Sequence, residues 1–341
     1  MNRENVTIKD IARELKISPS TVSRALKDHP DISPETKKLV NALAEKWNYS
    51  PNPIALSLKG GSTHTIGVVI PEIIHHFFST VISGIEDYAN IKGYNVMICQ
   101  SNETYEGEVK SVQTLVNSHV DGILVSVSKL TRNMEHFHKL RRKEIPMVFF
   151  DRVCEELESD RVIVDDEEGA YMAVKHLILE GRKRIVHLSG PQNLQIAKSR
   201  IDGYIKALNE FRIPVNEENI VKCDVKDEAD WIIPSLLKRN PRPDSFFCVN
   251  DLTAAQTMKI VKKHNLRVPD DISIVGFTNG QIADLTDPEL SSVDQHGYEM
   301  GQEAARLLLD RIKDKTRSYQ TRIIKTELII RESSRTKETP K

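Results

Sequence analysis

Residues 18–26 read SPSTVSRAL, and the fold of the first sixty residues turns on this stretch. Ser18 is a residue type that caps helices by accepting a backbone N–H, and Pro19 occupies a first helical position, where a missing N–H costs nothing. Val22 and Leu26 then share one side of the helix, which leaves Ser20, Thr21, Arg24 and Lys27 on the other. A helix of about two turns that points short hydroxyls and cations outward has the size and chemistry to meet base edges in a major groove.

Upstream, Thr7 and Asp10 form a capping-box-like start, and Ile8, Ile11, Ala12 and Leu15 follow at helical spacing. Downstream, Ser33 and Pro34 repeat the device of Ser18 and Pro19, with Leu39, Val40, Leu43 and Trp47 as the buried stripe of a third helix. About three residues separate the first two helices, so they must cross steeply, as a helix-turn-helix. By residue pattern alone such a module suits protein docking as well as DNA reading. The next stretch, NYSPNPIALSLKGG (residues 48–61), favours DNA. Asn52 and Pro53 open another helix, but Gly60 and Gly61 end it after six or seven residues, too few to be stable alone. Ile54, Ala55, Leu56 and Leu58 therefore need a partner. A minor groove together with the same helix of a second subunit would serve, with a leucine wedged between base steps. Packing of the linker on its own domain is the other reading.

From Thr65 the sequence alternates short apolar strands with helical patterns. TIGVVIP, YNVMICQS, DGILVSV and PMVFFD come first, and the series restarts with RVIVD, RIVHLSG, IVKCDV, SFFCVN and DISIVGF. This spacing predicts two doubly wound parallel sheets with a cleft beyond the carboxyl ends of their strands. The α/β pattern also suits a nucleotide-binding dehydrogenase, but IPEIIHHFF follows the first strand, and neither GxGxxG nor GxxxxGK[ST] occurs. The strand ends offer His75, His76, Phe77 and Phe78, then Ser126 and Ser128, Asp151 and Arg152, Gly190 and Pro191 leading to Arg200, Asn250 and Asp251, and Thr278 and Asn279. Aromatic faces with a few polar groups suit a small-molecule pocket. Phe247 is open to a place in the pocket or the core, and Asp251 to a role as a helix cap.

The run TIKDIARELKISPSTVSRAL, the linker NPIALSL and the segments GPxxxxxxxxRIDGY and FFCVND together resemble the lactose-repressor and galactose-repressor family of bacterial transcription regulators, from about Val6 to Ser334. The resemblance implies an all-α helix-turn-helix head (1–50), a hinge helix or linker (51–62) and a two-lobed α/β effector domain like the periplasmic binding proteins (63–334). In that fold the chain crosses between lobes three times. This puts about 63–160 and 292–320 in the first lobe, about 161–291 and 321–334 in the second, and leaves 335–341 as a polar, disordered tail. It further implies base contacts by Ser20, Thr21 and Arg24, phosphate contacts by Thr7 and Ser23, and a minor-groove wedge at Leu58. Lys27, Asn52, Ala55 and Lys59 complete the DNA-facing candidates. Many members carry Arg where Leu56 stands, and Lys59 is the candidate replacement. For the effector the resemblance points to Phe78, Asp151, Arg200, Asn250 and Thr278, to which Phe77, Ser126 and Phe247 are added as lining candidates. Purine-responsive members place polar groups where Leu194 and Ile196 stand, and many sugar-responsive members have Asp at Thr278. A sugar or sugar derivative is the expected class, with Asp151, Arg200 and Asn250 sharing hydrogen bonds to vicinal hydroxyls.

Composition sets the remaining bounds. The 341 residues suit a small module joined to a larger one or two. Basic and acidic residues number 48 and 49, but residues 1–61 hold ten against seven and the remainder 38 against 42, so the positive excess lies in the head. Cys99, Cys154, Cys223 and Cys248 lie far apart without CxxC and read as buried thiols in a reducing cytoplasm. No signal core or membrane-length apolar run occurs. The His75–His76 and His136–His138 pairs lack accompanying ligands, so no metal or other cofactor is expected. No catalytic triad or carboxylate pair stands out, and the expectation is a regulator rather than an enzyme. A sugar receptor without a DNA role is the competing reading, and the head argues against it. Without a leucine heptad in the tail, a homodimer on a palindromic operator is expected. Effector binding would shift lobe closure and so the pairing of the short linkers, in either an inducing or a corepressing sense.

Overall fold

The computed structural model describes residues 6–49 and 62–335, and the chain divides into two compact units, one ending at residue 63 and one beginning at residue 64. The small unit holds α1 (Ile8–Glu14), α2 (Pro19–Leu26) and α3 (Pro34–Lys46). Their starts are set locally: Ser18 Oγ accepts the N–H of Thr21 at 3.0 Å, and Ser33 Oγ that of Thr36 at 3.2 Å. At α1 the Thr7 N–H donates to Asp10 Oδ2 at 3.0 Å. Ile11, Ala12, Val22, Ala25, Val40 and Ala44 form the core, flanked by Leu15, Leu26, Leu43 and Trp47. Two expectations need correcting. Leu26 is only partly buried because Ala25 takes the inner position, and Leu39 is 55% exposed. Each helical residue turns about 100°, so a face centred on Val40, Leu43, Ala44 and Trp47 leaves Leu39 beyond its edge. The linker candidates Asn52, Ala55, Leu58 and Lys59 lie outside the described residues, as does the tail from residue 336.

The large unit begins with β1 (Thr65–Ile70), α4 (His76–Ile91), β2 (Asn95–Gln100), α5 (Tyr105–Asn117), β3 (Gly122–Val125), α6 (Glu135–Arg142), β4 (Met147–Phe150) and β5 (Asp160–Val164). It continues through α7 (Asp166–Leu179), β6 (Ile185–Ser189), α8 (Gln195–Glu210), β7 (Ile220–Lys222), α9 (Lys226–Leu237), β8 (Ser245–Cys248), α10 (Asp251–Lys263), β9 (Ser273–Thr278), α11 (Ile282–Leu285) and β10 (Ser291–Asp294). It closes with α12 (Gly297–Lys313), β11 (Thr321–Ile324) and β12 (Glu327–Ile329). The first sheet has the order β11-β5-β4-β3-β1-β2 and is parallel throughout. The second has the order β12-β10-β9-β8-β6-β7, with only β12 antiparallel. Inner strands such as β3, β4, β6 and β8 are buried along their whole length, as helices on both faces require, whereas β2 and β7 at the edges are not.

The lobe boundaries differ from those read in the sequence. Residues 160–164 form β5 and pair with β4 in the first sheet, and 292–294 pair with β9 in the second. The final strands divide, β11 joining β5 in the first sheet and β12 joining β10 in the second. A strand's apolar pattern marks it as a strand but does not say which edge it will reach. The chain thus passes between sheets after β5, after β10 and between β11 and β12. In the first lobe α4 and α12 cross backbone to backbone. A Cβ at Gly84 would lie 2.1 Å from the Tyr298 carbonyl oxygen, and one at Gly301 would lie 2.1 Å from that of Val81.

Cys154, Cys223 and Cys248 are buried free thiols, with burial pushing Cys223 up to about 12, and Cys99 is half-buried. No described helix is long and apolar enough to cross a membrane.

Candidate functional site

The polar face of α2 is arranged by its cap. Ser18 Oγ lies 2.7 Å from Ser20 Oγ and 2.8 Å from Thr21 Oγ1, so three hydroxyls converge at the helix start. Ser20, Arg24 and Lys27 are exposed, and Thr21 and Ser23 partly so. Two other head cations are committed, Arg13 to Asp10 at 3.4 Å and Lys37 to Asp28 at 2.7 Å. Among the described residues no carboxylate pairs with Arg24 or Lys27. Exposed Thr7 donates its hydroxyl to Asp10 Oδ2 at 2.6 Å at the start of α1.

In the large unit, strand order reverses between β1 and β3 and again between β6 and β8. The carboxyl ends of such strands frame a crevice, and most of the sequence candidates collect there. At the end of β4, Asp151 is 5% exposed and holds a left-handed φ of 58°. Its Oδ2 accepts a long 3.4 Å hydrogen bond from the Ser126 hydroxyl and lies 3.8 Å from Arg152 Nε. Burial pushes the Asp151 carboxyl up to about 6, against the opposing pull of Arg152 and Arg200. Arg152 Nη1 in turn donates to both Glu103 oxygens at 2.9 Å, and its guanidinium stands 5.9 Å from the Phe78 ring centroid.

Across the cleft, Arg200 on α8 is buried. Its Nε donates to Asp166 Oδ1 at 2.8 Å, its Nη2 lies 2.7 Å from the same oxygen, and its Nη1 donates to the Val249 carbonyl at 2.7 Å. The Phe277 ring covers the guanidinium at 3.7 Å. Asn250 spends its amide locally, Oδ1 capping α10 through the Thr253 N–H at 2.8 Å and Nδ2 donating to the Asp224 carbonyl at 3.2 Å. Asp251 does not cap α10: it accepts the Gly280 N–H at 2.7 Å and the Ser292 hydroxyl at 2.5 Å, and burial raises its pKa. Thr278, at φ 127°, donates to Gln295 Oε1 at 3.2 Å.

The lobes meet through residues that sequence reading missed. Lys129 Nζ is 3.5 Å from Asp224 Oδ2, and Asn193 Nδ2 donates to the Lys129 carbonyl at 2.9 Å. Around them lies a cavity of about 480 Å³, bordered also by Leu130, Arg132 and Val225. The Lys129 N–H is anchored in turn on Glu103 at 2.8 Å. Asp166 had one visible signal, the doubled acid in VDDEEG: Asp165 caps α7 by accepting the Glu168 N–H at 3.2 Å, which frees Asp166 for Arg200. Two lining candidates are corrected. Phe247 is fully buried on β8 and stacks on His187 at 4.6 Å, and Phe77 packs in the first lobe's core, so both are core residues. Phe247 lies on a strand buried from both faces and Phe77 on the buried face of α4, where aromatic type alone does not distinguish pocket from core. Among the described residues no cluster of three His, Cys, Asp or Glu side chains could hold a metal. His136 is instead bound to buried Glu108 at 2.9 Å.

Comparison with known proteins adds to this geometry. Residues 7–52 match the model described as bacterial regulatory proteins, lacI family, and residues 174–334 match that of a periplasmic binding protein-like domain. The HTH-type transcriptional repressor PurR of Vibrio atlanticus is 34% identical over 331 residues, 97% of this chain and 99% of that protein. A complex of the transcriptional regulator CelR with cellobiose superposes with a TM-score of 0.74 at 26% identity, covering 96% of this chain and 100% of that one. The lac repressor dimer bound to operator and the anti-inducer ONPF gives 0.85 at 23% identity, covering 97% and 99%, which is a likeness of fold.

Proposed function

The chain belongs to the lacI family of bacterial regulatory proteins, and from that premise we propose that this DNA-binding transcriptional repressor works as a homodimer whose operator affinity is set by a sugar or sugar derivative held between the two lobes. In this reading Ser20, Thr21 and Arg24 read base edges, with Lys27, Thr7 and Ser23 on the backbone, while the linker residues Asn52, Ala55, Leu58 and Lys59 meet the minor groove. One observation carries it: Asp151 and Arg200, both buried and polar, stand at the strand ends of two sheets that the chain connects three times. A ligand touching both must bias how the lobes close, and lobe closure sets the separation of the two linkers. Operator and effector then change each other's affinity by one factor.

Cellobiose in CelR supports a saccharide, as do the apolar side chains of buried Leu194 and half-buried Ile196 at the entrance to α8. Similarity to PurR supports a purine-related ligand as the second reading. Selection of bound sequences from random duplex DNA by the full chain, repeated with sugars and with purine bases, tests both. The expected result is a palindrome whose binding one sugar alters. Enrichment of no sequence would overturn the DNA reading, and a response only to a purine base would replace the sugar.

A further inference from the structure

The charges in the cleft are already spoken for, and their balance limits what can enter. Two guanidiniums face it, that of Arg200 buried and that of Arg152 partly so. Arg152 is committed to Glu103, and Arg200 to Asp166 and the Val249 carbonyl, with Phe277 over its face. Arg152 is shared between Glu103 and Asp151, whose Oδ2 lies 3.8 Å from its Nε, and Arg200 is taken by Asp166, so with Asp251 four buried carboxylates stand against two guanidiniums. Asp251 is satisfied by neutral donors, Gly280 N–H and the Ser292 hydroxyl. Asp151 is not: among the described residues its only hydrogen-bond donor is Ser126, at 3.4 Å. At the mouth Lys129 is paired with Asp224, and Lys222 with Glu228 at 3.1 Å. Arg132, also at the mouth, is exposed, where solvent and salt screen its charge.

We infer that the effector is an uncharged polyhydroxyl compound, an unphosphorylated sugar or polyol, held as a hydrogen-bond donor on Asp151 while the Asp166–Arg200 pair excludes anionic ligands. This rests on the reading above that the cleft holds the effector, and it adds the ligand's charge. A phosphate or carboxylate placed there meets an excess of buried carboxylates over guanidiniums and no buried cation free of a carboxylate, and uncompensated like charge is strongly disfavoured in a site shielded from water. Hydroxyl donors complete the shell that Asp151 lacks. Asp166 is thus a positioning and specificity residue: it fixes the guanidinium plane of Arg200 through Nε and Nη2 and cancels its charge.

The test titrates full-length protein on its selected operator and follows both thermal unfolding and operator affinity. The probes are neutral aldoses, ketoses, disaccharides and polyols, their phosphorylated and carboxylated counterparts, and purine bases with their nucleotides. A neutral polyhydroxyl compound is expected to shift both readouts, with its phosphorylated counterpart weaker by about 30-fold or more. Asp166→Asn, which leaves Arg200 unneutralised, is expected to narrow that preference about tenfold or more. The wild-type preference is decisive even if the variant does not fold. Equal or tighter binding of an anionic member, or of a purine base in place of any sugar, overturns the inference while leaving the effector-responsive repressor intact. If no member changes either readout on an operator that the protein binds, the effector reading fails and the inference with it.

Discussion

Replacing Asp151 with Asn separates what the residue does for binding from what it costs in stability. Asn is the closest isostere and, like Asp, tolerates the left-handed φ of 58° found here. In the folded chain the carboxyl is pushed from its ordinary 3.8 up to about 6 by burial. A folded-state pKa above the unfolded one means that the native state binds the proton more tightly. Ionisation therefore opposes folding, fully above about pH 6 and progressively less as pH falls towards 3.8. The difference corresponds to about 3 kcal/mol at pH 7.5 and about 1 kcal/mol at pH 4.5. Asp151→Asn should accordingly raise stability by up to about 3 kcal/mol at pH 7.5, with the gain shrinking to about 1 kcal/mol at pH 4.5. Urea titration followed by circular dichroism at the two pH values measures it. The same variant should lose most of its response to the effector, since the amide replaces an anionic acceptor with a neutral one. A gain that does not change with pH, or a loss of stability at pH 7.5, would refute the claim that burial outweighs the nearby guanidiniums at this carboxylate.

Arg24→Ala should weaken operator binding by about 1–3 kcal/mol and relax preference at one base pair per half-site, which sequence selection with the variant will show. Equal weakening on every sequence would make Arg24 a phosphate contact. Ser18→Ala removes the acceptor of the Thr21 N–H and should cost the head about 1 kcal/mol, read as an earlier local loss of amide protection in α2. Gly84→Ala forces a methyl to within 2.1 Å of the Tyr298 carbonyl oxygen, so α4 and α12 must separate; a loss of about 2–3 kcal/mol in urea midpoint analysis is expected, and wild-type stability would show that the crossing is looser than described. Glu108→Ala strands three donors, the Ser128 N–H, the Thr131 hydroxyl and His136 Nε2, and should cost about 3 kcal/mol or more and loosen the loop that carries Lys129.

Much of the site could be seen in the residues themselves, and the rest could not, for definable reasons. Asp151, Arg200, Asn250 and Thr278 were recognisable because they end apolar strands or sit in motif positions, which is information carried within a few residues. Their states were not recognisable. That Arg200 is neutralised depends on α7 and α8 packing closely enough to join Asp166 to it, and that Asn250 is a cap depends on the local geometry of α10. Phe247 illustrates the opposite error, since an aromatic at a strand end looks the same whether its ring turns to the cleft or to His187. The mouth contacts of Lys129 with Asp224 and Asn193 join residues of different lobes, and no short-range pattern announces them.

Local chemistry alone decided where helices begin in the head, which face of α2 is polar, and that the remainder alternates strand and helix, because capping, periodicity and turn signals act over one or two turns of chain. Tertiary structure alone decided which sheet receives each of the last two strands. Thr321 pairs with Arg161 whereas Glu327 pairs with Asp294, and those partners are brought near only once both lobes have formed. It also decided the charge of the cleft, because the ionisation and pairing of Asp151, Asp166 and Arg200 are set by burial and by neighbours distant in sequence, through electrostatic interactions that grow strong only where water has been removed.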